Sequence, residues 1–293
     1  MWERKDFNMN AIKMYIYKIF HSQSSLIILL AAVAMSSFSI FMVKYETDYY
    51  KEHPEELVQT EEEMNKSNTE ELNFGIMVDT PVSNDDVQPT MMEYVTADLT
   101  SGMLLIFLTI FVVLFVNSEE SSGFIKNIIG QPKRRGILVE SKAVAICVYN
   151  FILMGVYTLA HCIGVKIAYR DAKLGWNKEI AVFFAVMYLL MAAFGIFIAC
   201  ITILVRNNAM GIVLGLIDAC GIGYLFTNTV NRILDKENFD LNRYMVVGRI
   251  NGMNVGDAGS VMVKAAIVAV IWFAIWLAVS EVVTAKRDIR GGM

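Results

Sequence analysis

Apolar residues gather along this chain into six runs, at 25–43, 99–116, 143–165, 180–205, 209–230 and 261–283. Each is close to the roughly 20 residues that a helix needs to cross a hydrocarbon core of about 30 Å. The pattern therefore predicts an all-helical membrane domain of six spans over residues 25–293. No internal repeat stands out at a fixed period. The runs also show no matching pair of broken segments in the two halves, which argues against an inverted-repeat secondary transporter.

Two shorter segments have a different periodicity. Ahead of the first run, Ile12, Tyr15, Ile16, Ile19 and Phe20 recur at helical spacing while Asn10, Lys13 and Tyr17 point elsewhere, which is the pattern of an amphipathic helix. Residues 1–24 are accordingly read as a helix lying in the membrane interface, with its basic residues in the headgroup layer. It either anchors the chain or takes part in the motion. The segment is too long and too amphipathic for a signal n-region, so the first run is read as a retained span.

Between runs two and three, residues 117–142 read NSEESSGFIKNIIGQPKRRGILVESK. Asn117 or Ser118 is placed to N-cap a short helix, with Glu119 and Glu120 favoured in its first turn by the macrodipole. Phe124, Ile125, Ile128 and Ile129 then share one apolar face, and Gly130 and Pro132 end it. Such a face needs cover, from a partner protein or from the lipid headgroups.

Charge sets the expected orientation. Hydrophobic residues make up 56% of the chain and charged residues 18%, against roughly 45–50% and about 25% in soluble domains. Thirteen basic residues fall at the two termini and in the connections after runs two and four, against twelve in the other connections. The second set is spread over longer loops, so the first side is read as cytoplasmic, with both termini there. The loop at 44–98 holds fifteen of the chain's twenty-nine acidic residues and three lysines, a net charge of 3 − 15 = −12. It is expected to be extracellular and, being poor in apolar residues, partly disordered. The loop at 231–260, with aliphatic positions and several glycines, is expected outside as well, folded back on the membrane surface.

The two cytoplasmic segments carry a resemblance. The glutamate-led SSGFIKNI helix, a turn and KRRGILVESK leading into a span look like the permease family of type-2 ATP-binding-cassette (ABC) transporters. The IKMYIYKIFHSQS stretch before the first span resembles that family's interfacial helix. The resemblance implies that residues 117–142 hold a coupling helix inserting into an ATPase subunit, through Glu119, Glu120, Gly123, Phe124, Ile125, Lys126, Asn127 and Ile128. It further implies partner ATPase subunits that hold the ATP and magnesium, a second permease chain, and the membrane of a bacterial cell. The large acidic loop departs from the family's usual short loop. It resembles members that handle bacteriocins, lantibiotics or other membrane-active peptides, so a cationic peptide is the expected substrate, for export or self-immunity. Nothing points to nucleic acid.

Within the fifth run Gly211, Gly215, Ala219 and Gly223 repeat every four residues, a small-residue stripe that lets helix backbones approach closely. Contact within one chain and a seam between two chains both account for it, and the implied pair of permeases favours the seam. Asp218 stands beside the stripe at mid-span, where a carboxylate costs a few kcal/mol unless it meets water or a partner. It is the candidate for a translocation cavity; a hydrogen bond to a neighbouring helix, for instance near Asn150, is the alternative. His161 reads as a satisfied polar residue rather than a ligand. The four cysteines sit within apolar runs and behave as small hydrophobes.

Catalytic signatures are missing from the sequence. There is no G-x-x-x-x-G-K-[ST] phosphate loop, so ATP hydrolysis belongs to another chain. H-E-x-x-H does not occur, and three scattered histidines make no zinc site. The G-x-S-like spacing from Gly256 to Ser260 has no nearby histidine, which disfavours a serine protease. Two rivals to the permease reading come from other classes. A membrane-embedded sensor would use the acidic loop as its receptor, and an ion-driven transporter would require more intramembrane ionisable groups than Asp218.

Overall fold

The computed structural model describes residues 2–53, 55, 89–121, 135–221, 223, 229–230 and 241–286. Among them regular structure is helical throughout. We number the α-helices α1 (Trp2–His21), α2 (Gln23–Glu52), α3 (Met91–Thr100), α4 (Met103–Ser121), α5 (Arg135–Ala168), α6 (Lys178–Val205), α7 (Asn208–Ala219), α8 (Val246–Asn251) and α9 (Gly259–Lys286), with a 3₁₀ turn at Leu241–Tyr244.

Among the described residues four helices are long and apolar enough to cross a membrane: α2, α5, α6 and α9. At 1.5 Å per residue they run to about 42–51 Å, so each also projects beyond the hydrocarbon layer. A fifth crossing is counted only if α3 and α4 are taken as one span, bent by 57° at Ser101–Gly102. Of the six spans expected from hydropathy, the described residues show four, or five with the bent pair. In the run at 209–230, α7 has only 12 residues, about 18 Å, and stops at a turn through Cys220 and Gly221.

Both interruptions rest on glycine. Gly102 has φ +81° and Gly221 φ +77°, a region that L-residues enter at a cost and glycine does not. Helix α4 runs antiparallel to α7, and the two breaks meet at one depth: a β-carbon on Gly102 would stand 3.2 Å from the Ala219 carbonyl oxygen. The chain thus contains two broken apolar segments that lie side by side, not the pair in matching halves that the sequence lacks.

Helix α6 is the centre of the bundle. In its most apolar stretch 61% of residues are buried, against 11% in α9, which packs along α6 and turns its other faces outward. The main core joins Leu104, Leu108 and Phe111 of α4, Ile146, Tyr149 and Leu153 of α5, and Phe183, Leu190 and Phe194 of α6. Phe111 stacks on Tyr149 with ring centroids 3.4 Å apart, and the Tyr149 hydroxyl donates to the Ser25 carbonyl at 3.1 Å. In the described part of the 231–260 loop, Val246, Val247, Ile250 and Met253 are buried against this core while Arg243, Tyr244, Asn251 and Asn254 stay exposed.

Helix α1 packs one edge of its apolar face on protein. Ala11, Tyr15 and Ile19 are buried while Phe20 is exposed, and Tyr15 meets Phe115 edge-on at 5.9 Å. At the opposite end of the bundle a second, smaller core gathers Ile40, Val43, Met91, Tyr94, Val165 and Tyr169. Residues 44–52 belong to α2 and 91–98 to α3, so the stretch at 44–98 is helical at both ends.

Candidate coupling site

Residues 117–142 leave α4 and return into α5, and the described parts of both helices converge there with α1 and the α6–α7 turn. The expected short helix does not begin at Asn117 or Ser118: α4 continues through both to Ser121. Asn117 is therefore no N-cap. Its amide instead donates to Asn208 Oδ1 at 2.6 Å, joining the end of α4 to the start of α7. Glu119 and Glu120 lie in the last turn of α4. Gly123, Phe124, Ile125, Lys126, Asn127 and Ile128 lie outside the described residues.

The start of α7 is fixed by a two-residue reversal. Arg206 ends α6 in a left-handed conformation, φ 55° and ψ 24°. Asn207 then caps α7, accepting from the backbone amides of Ala209 and Met210. Aromatic and cationic contacts hold α1 against the same end: the Lys18 ammonium lies 5.0 Å from the Phe115 ring and that of Lys142 lies 6.0 Å from Tyr15. Both flanks of the 117–142 connection are thus in touch with α1, at contacts worth about 0.5–1 kcal/mol when exposed and more when desolvated. An apolar crevice of about 270 Å³, counting its open mouth, lies beside them between Val116, Val139, Ile146, Ile196 and Leu277.

From this end α4 and α7 pack together along their length. A β-carbon at Gly211 would stand 3.2 Å from Val113, and one at Gly215 would stand 2.4 Å from Thr109 Cγ2. Gly211, Gly215 and Ala219 are buried, and the first two face α4 of the same chain, which is the intrachain use of the stripe. Gly223 lies beyond the turn that ends α7; a β-carbon there would stand 3.0 Å from Asp218 Oδ1.

Asp218 lies one residue before that end and is half-buried. Among the described residues nothing hydrogen-bonds its carboxylate. Asn150, considered as its partner, donates instead to the Tyr188 carbonyl at 3.3 Å. At the level of the two breaks the Asn251 side-chain amide lies near both Gly102 and Gly221. Helices α4 and α7, fastened at Asn117–Asn208, thus run side by side from the connection to the level where both break and where α7 carries Asp218.

Sequence reasoning missed the most polar cluster in the bundle. Asp98, 1% exposed, accepts from Ser39 Oγ at 3.0 Å and from the Tyr157 hydroxyl, and His161 Nδ1 lies 3.3 Å from its Oδ2. Ser36 Oγ lies 3.2 Å from the same imidazole nitrogen. The available signals were the spacings of Tyr157 with His161 and of Ser36 with Ser39, each placing two polar groups on one face of an apolar helix.

Compared with known proteins, residues 71–220 match the family model described as ABC-2 family transporter protein. That stretch spans α3 to α7, so it includes the packed α4–α7 pair and residues 117–142. A search of curated proteins finds no match.

Proposed function

Because the chain belongs to the ABC-2 transporter family, and so is the membrane component that works with a separate ATP-binding cassette subunit, we propose that the α4–α7 lever is its coupling device. Residues 117–142 face the cytoplasm and receive the ATPase through Phe124, Ile125 and Ile128. Closure of the ATPase pair on ATP pushes this connection. Since α4 and α7 are packed through Gly211 and Gly215 and joined at Asn117–Asn208, they move together and carry Asp218 with them. A few kcal/mol of differential contact between two such states suffices to shift their populations. The observation that carries this reading is the continuity of α4 and α7 from the connection to the paired breaks.

The substrate we propose is a cationic, membrane-active peptide, exported from the cell or expelled from its bilayer, with a second permease chain completing the pathway in the bacterial plasma membrane. The support is the acidic loop: a net charge of −12 between 44 and 98 attracts cations and speeds their encounter, within a Debye length of about 8 Å at physiological salt. Replacing Glu61, Glu62, Glu63, Glu70 and Glu71 by Gln removes five of those charges. Resistance of expressing cells to a cationic lantibiotic should fall at low ionic strength, and the difference from wild type should shrink as salt is raised. Wild-type protection by the variant at low salt would overturn electrostatic capture by the loop.

A further inference from the structure

The Asp98 cluster takes no part in the lever, yet it is fastened three residues before the bend at which α4 departs. Its groups come from three elements: Asp98 from α3, Tyr157 and His161 from α5, and Ser36 and Ser39 from α2. Two hydroxyls donate to one carboxylate that is 1% exposed, and the His161 ring nitrogen stands 3.3 Å from it. Water cannot replace them readily, so withdrawing α3 would leave a buried carboxylate unpaired, the most costly kind of polar exposure to apolar surroundings.

Helix α3 is held at its other end too. Thr90 and Glu93 form a reciprocal capping box, the Met91 and Met92 amides donate to the Lys173 and Leu174 carbonyls at 2.9 and 3.2 Å, and Tyr94 stacks on Tyr169 at 5.3 Å. At the bend itself the polar ties are lighter: the Tyr157 hydroxyl reaches Met103 Sδ only at 4.0 Å. Ser101 Oγ donates to the Asp98 carbonyl at 2.7 Å and accepts from the Met103 amide at 3.3 Å, and Gly102 carries the positive φ. A glycine changes φ and ψ at little steric cost, whereas a buried carboxylate that holds two hydroxyl donors does not change partners cheaply.

We propose that the Asp98 cluster makes α3 a fixed part of the α2–α5 body, and that Ser101–Gly102 is the hinge about which the α4–α7 lever turns. Asp98 is then a positioning residue. This is a hinge motion in which a few backbone positions absorb the change between two packed bodies. It also joins the two helical legs of the acidic loop, α2 and α3, through Ser39–Asp98, so the base of that loop stays closed while the lever moves.

The inference rests on the ATP-driven reading, and hydrogen–deuterium exchange of the purified permease–ATPase complex separates the two. Nucleotide-free complex is compared with complex trapped by ATP and orthovanadate, following overlapping peptides over 91–100, 101–106 and 135–150. The expected result is that 91–100 keeps the same protection in both states while 101–106 changes by about tenfold or more, the range of local opening. In Asp98→Asn, which turns an acceptor into a donor facing Tyr157 and His161, 91–100 should become nucleotide-sensitive and exchange at least about tenfold faster. Tyr157→Phe, which removes one donor, should do the same more weakly. Loss of protection at 91–100 in the trapped wild type would overturn the fixed-base assignment. Unchanged 101–106 alongside a nucleotide-dependent change at 135–150 would overturn the hinge. Absence of any nucleotide response in the chain would instead overturn the ATP-driven reading. The wild-type comparison decides the matter even if Asp98→Asn fails to accumulate.

Discussion

Replacing Gly215 by alanine puts a methyl carbon 2.4 Å from Thr109 Cγ2 and 3.1 Å from Ile198 Cδ1. Ordinary carbon contacts lie at about 3.5–4.0 Å, so α7 must move away from α4 by roughly 1 Å or Thr109 must leave its rotamer. Helix propensity alone favours alanine over glycine by about 1 kcal/mol, and overpacking costs about 1–3 kcal/mol. The clash prevails, leaving a net loss of up to about 2 kcal/mol. Its functional effect should exceed its effect on stability, because the pair can no longer move as one body. Thr109→Ser deletes the clashing methyl and keeps the hydroxyl, so Gly215→Ala with Thr109→Ser should recover most of both. The assay is a double-mutant cycle on melting temperature and on the ATPase rate of the purified complex, with an expected coupling of about 0.5–3 kcal/mol. Wild-type stability and ATPase rate in Gly215→Ala, or failure of Thr109→Ser to rescue a defect, would refute the tight α4–α7 seam.

Two further outcomes follow from the same arrangement. In a background lacking Cys147, Cys162, Cys200 and Cys220, a single cysteine at Ser67 should react with an impermeant thiol reagent on intact cells and one at Gln131 should not; the reverse would invert the orientation. Asp218→Asn should alter transport with little loss of folded protein, since a carboxylate facing lipid would be the costliest placement; unchanged transport would return Asp218 to a packing role.

Hydropathy made the long helices legible because α2, α5, α6 and α9 need only length and apolar composition to be recognised. The interruptions were hidden for the same reason. Gly102 and Gly221 sit inside apolar runs, where glycine is common in membrane helices, and only the backbone shows that both take positive φ. Counting continuous apolar residues thus merged α4 with the end of α3, and carried the fifth run through the turn at which α7 stops. The four-residue repeat from Gly211 to Ala219 was legible as a packing surface, but a repeat does not say what covers it, and the covering side chains, Val113 and Thr109, come from a helix about a hundred residues earlier.

Asp98 was counted with the loop charges because it follows the acidic stretch directly. Its burial depends on partners 59 positions away on either side, Ser39 and Tyr157, and local pattern carries no information at that separation. His161 was legible as a satisfied polar group, and its neighbours Ser36 and Asp98 supply that satisfaction. For Asn117 local pattern misled: an Asn ahead of two glutamates reads as a cap, but the side chain is used sideways, on Asn208.

The claim that the 117–142 connection docks an ATPase is tested most directly by the apolar face of that connection. Replacing Phe124 and Ile128 together by Asp introduces two charges where a buried contact is required. Desolvating an unpaired carboxylate at an interface costs several kcal/mol, enough to lower affinity by two or more powers of ten at about 1.4 kcal/mol each. Affinity purification of the tagged permease from cells expressing both subunits should recover the ATPase with the wild type and lose it with the double variant, while the permease itself stays in the membrane fraction. Equal recovery of the ATPase by the double variant would contradict the account and leave this segment as a lipid anchor.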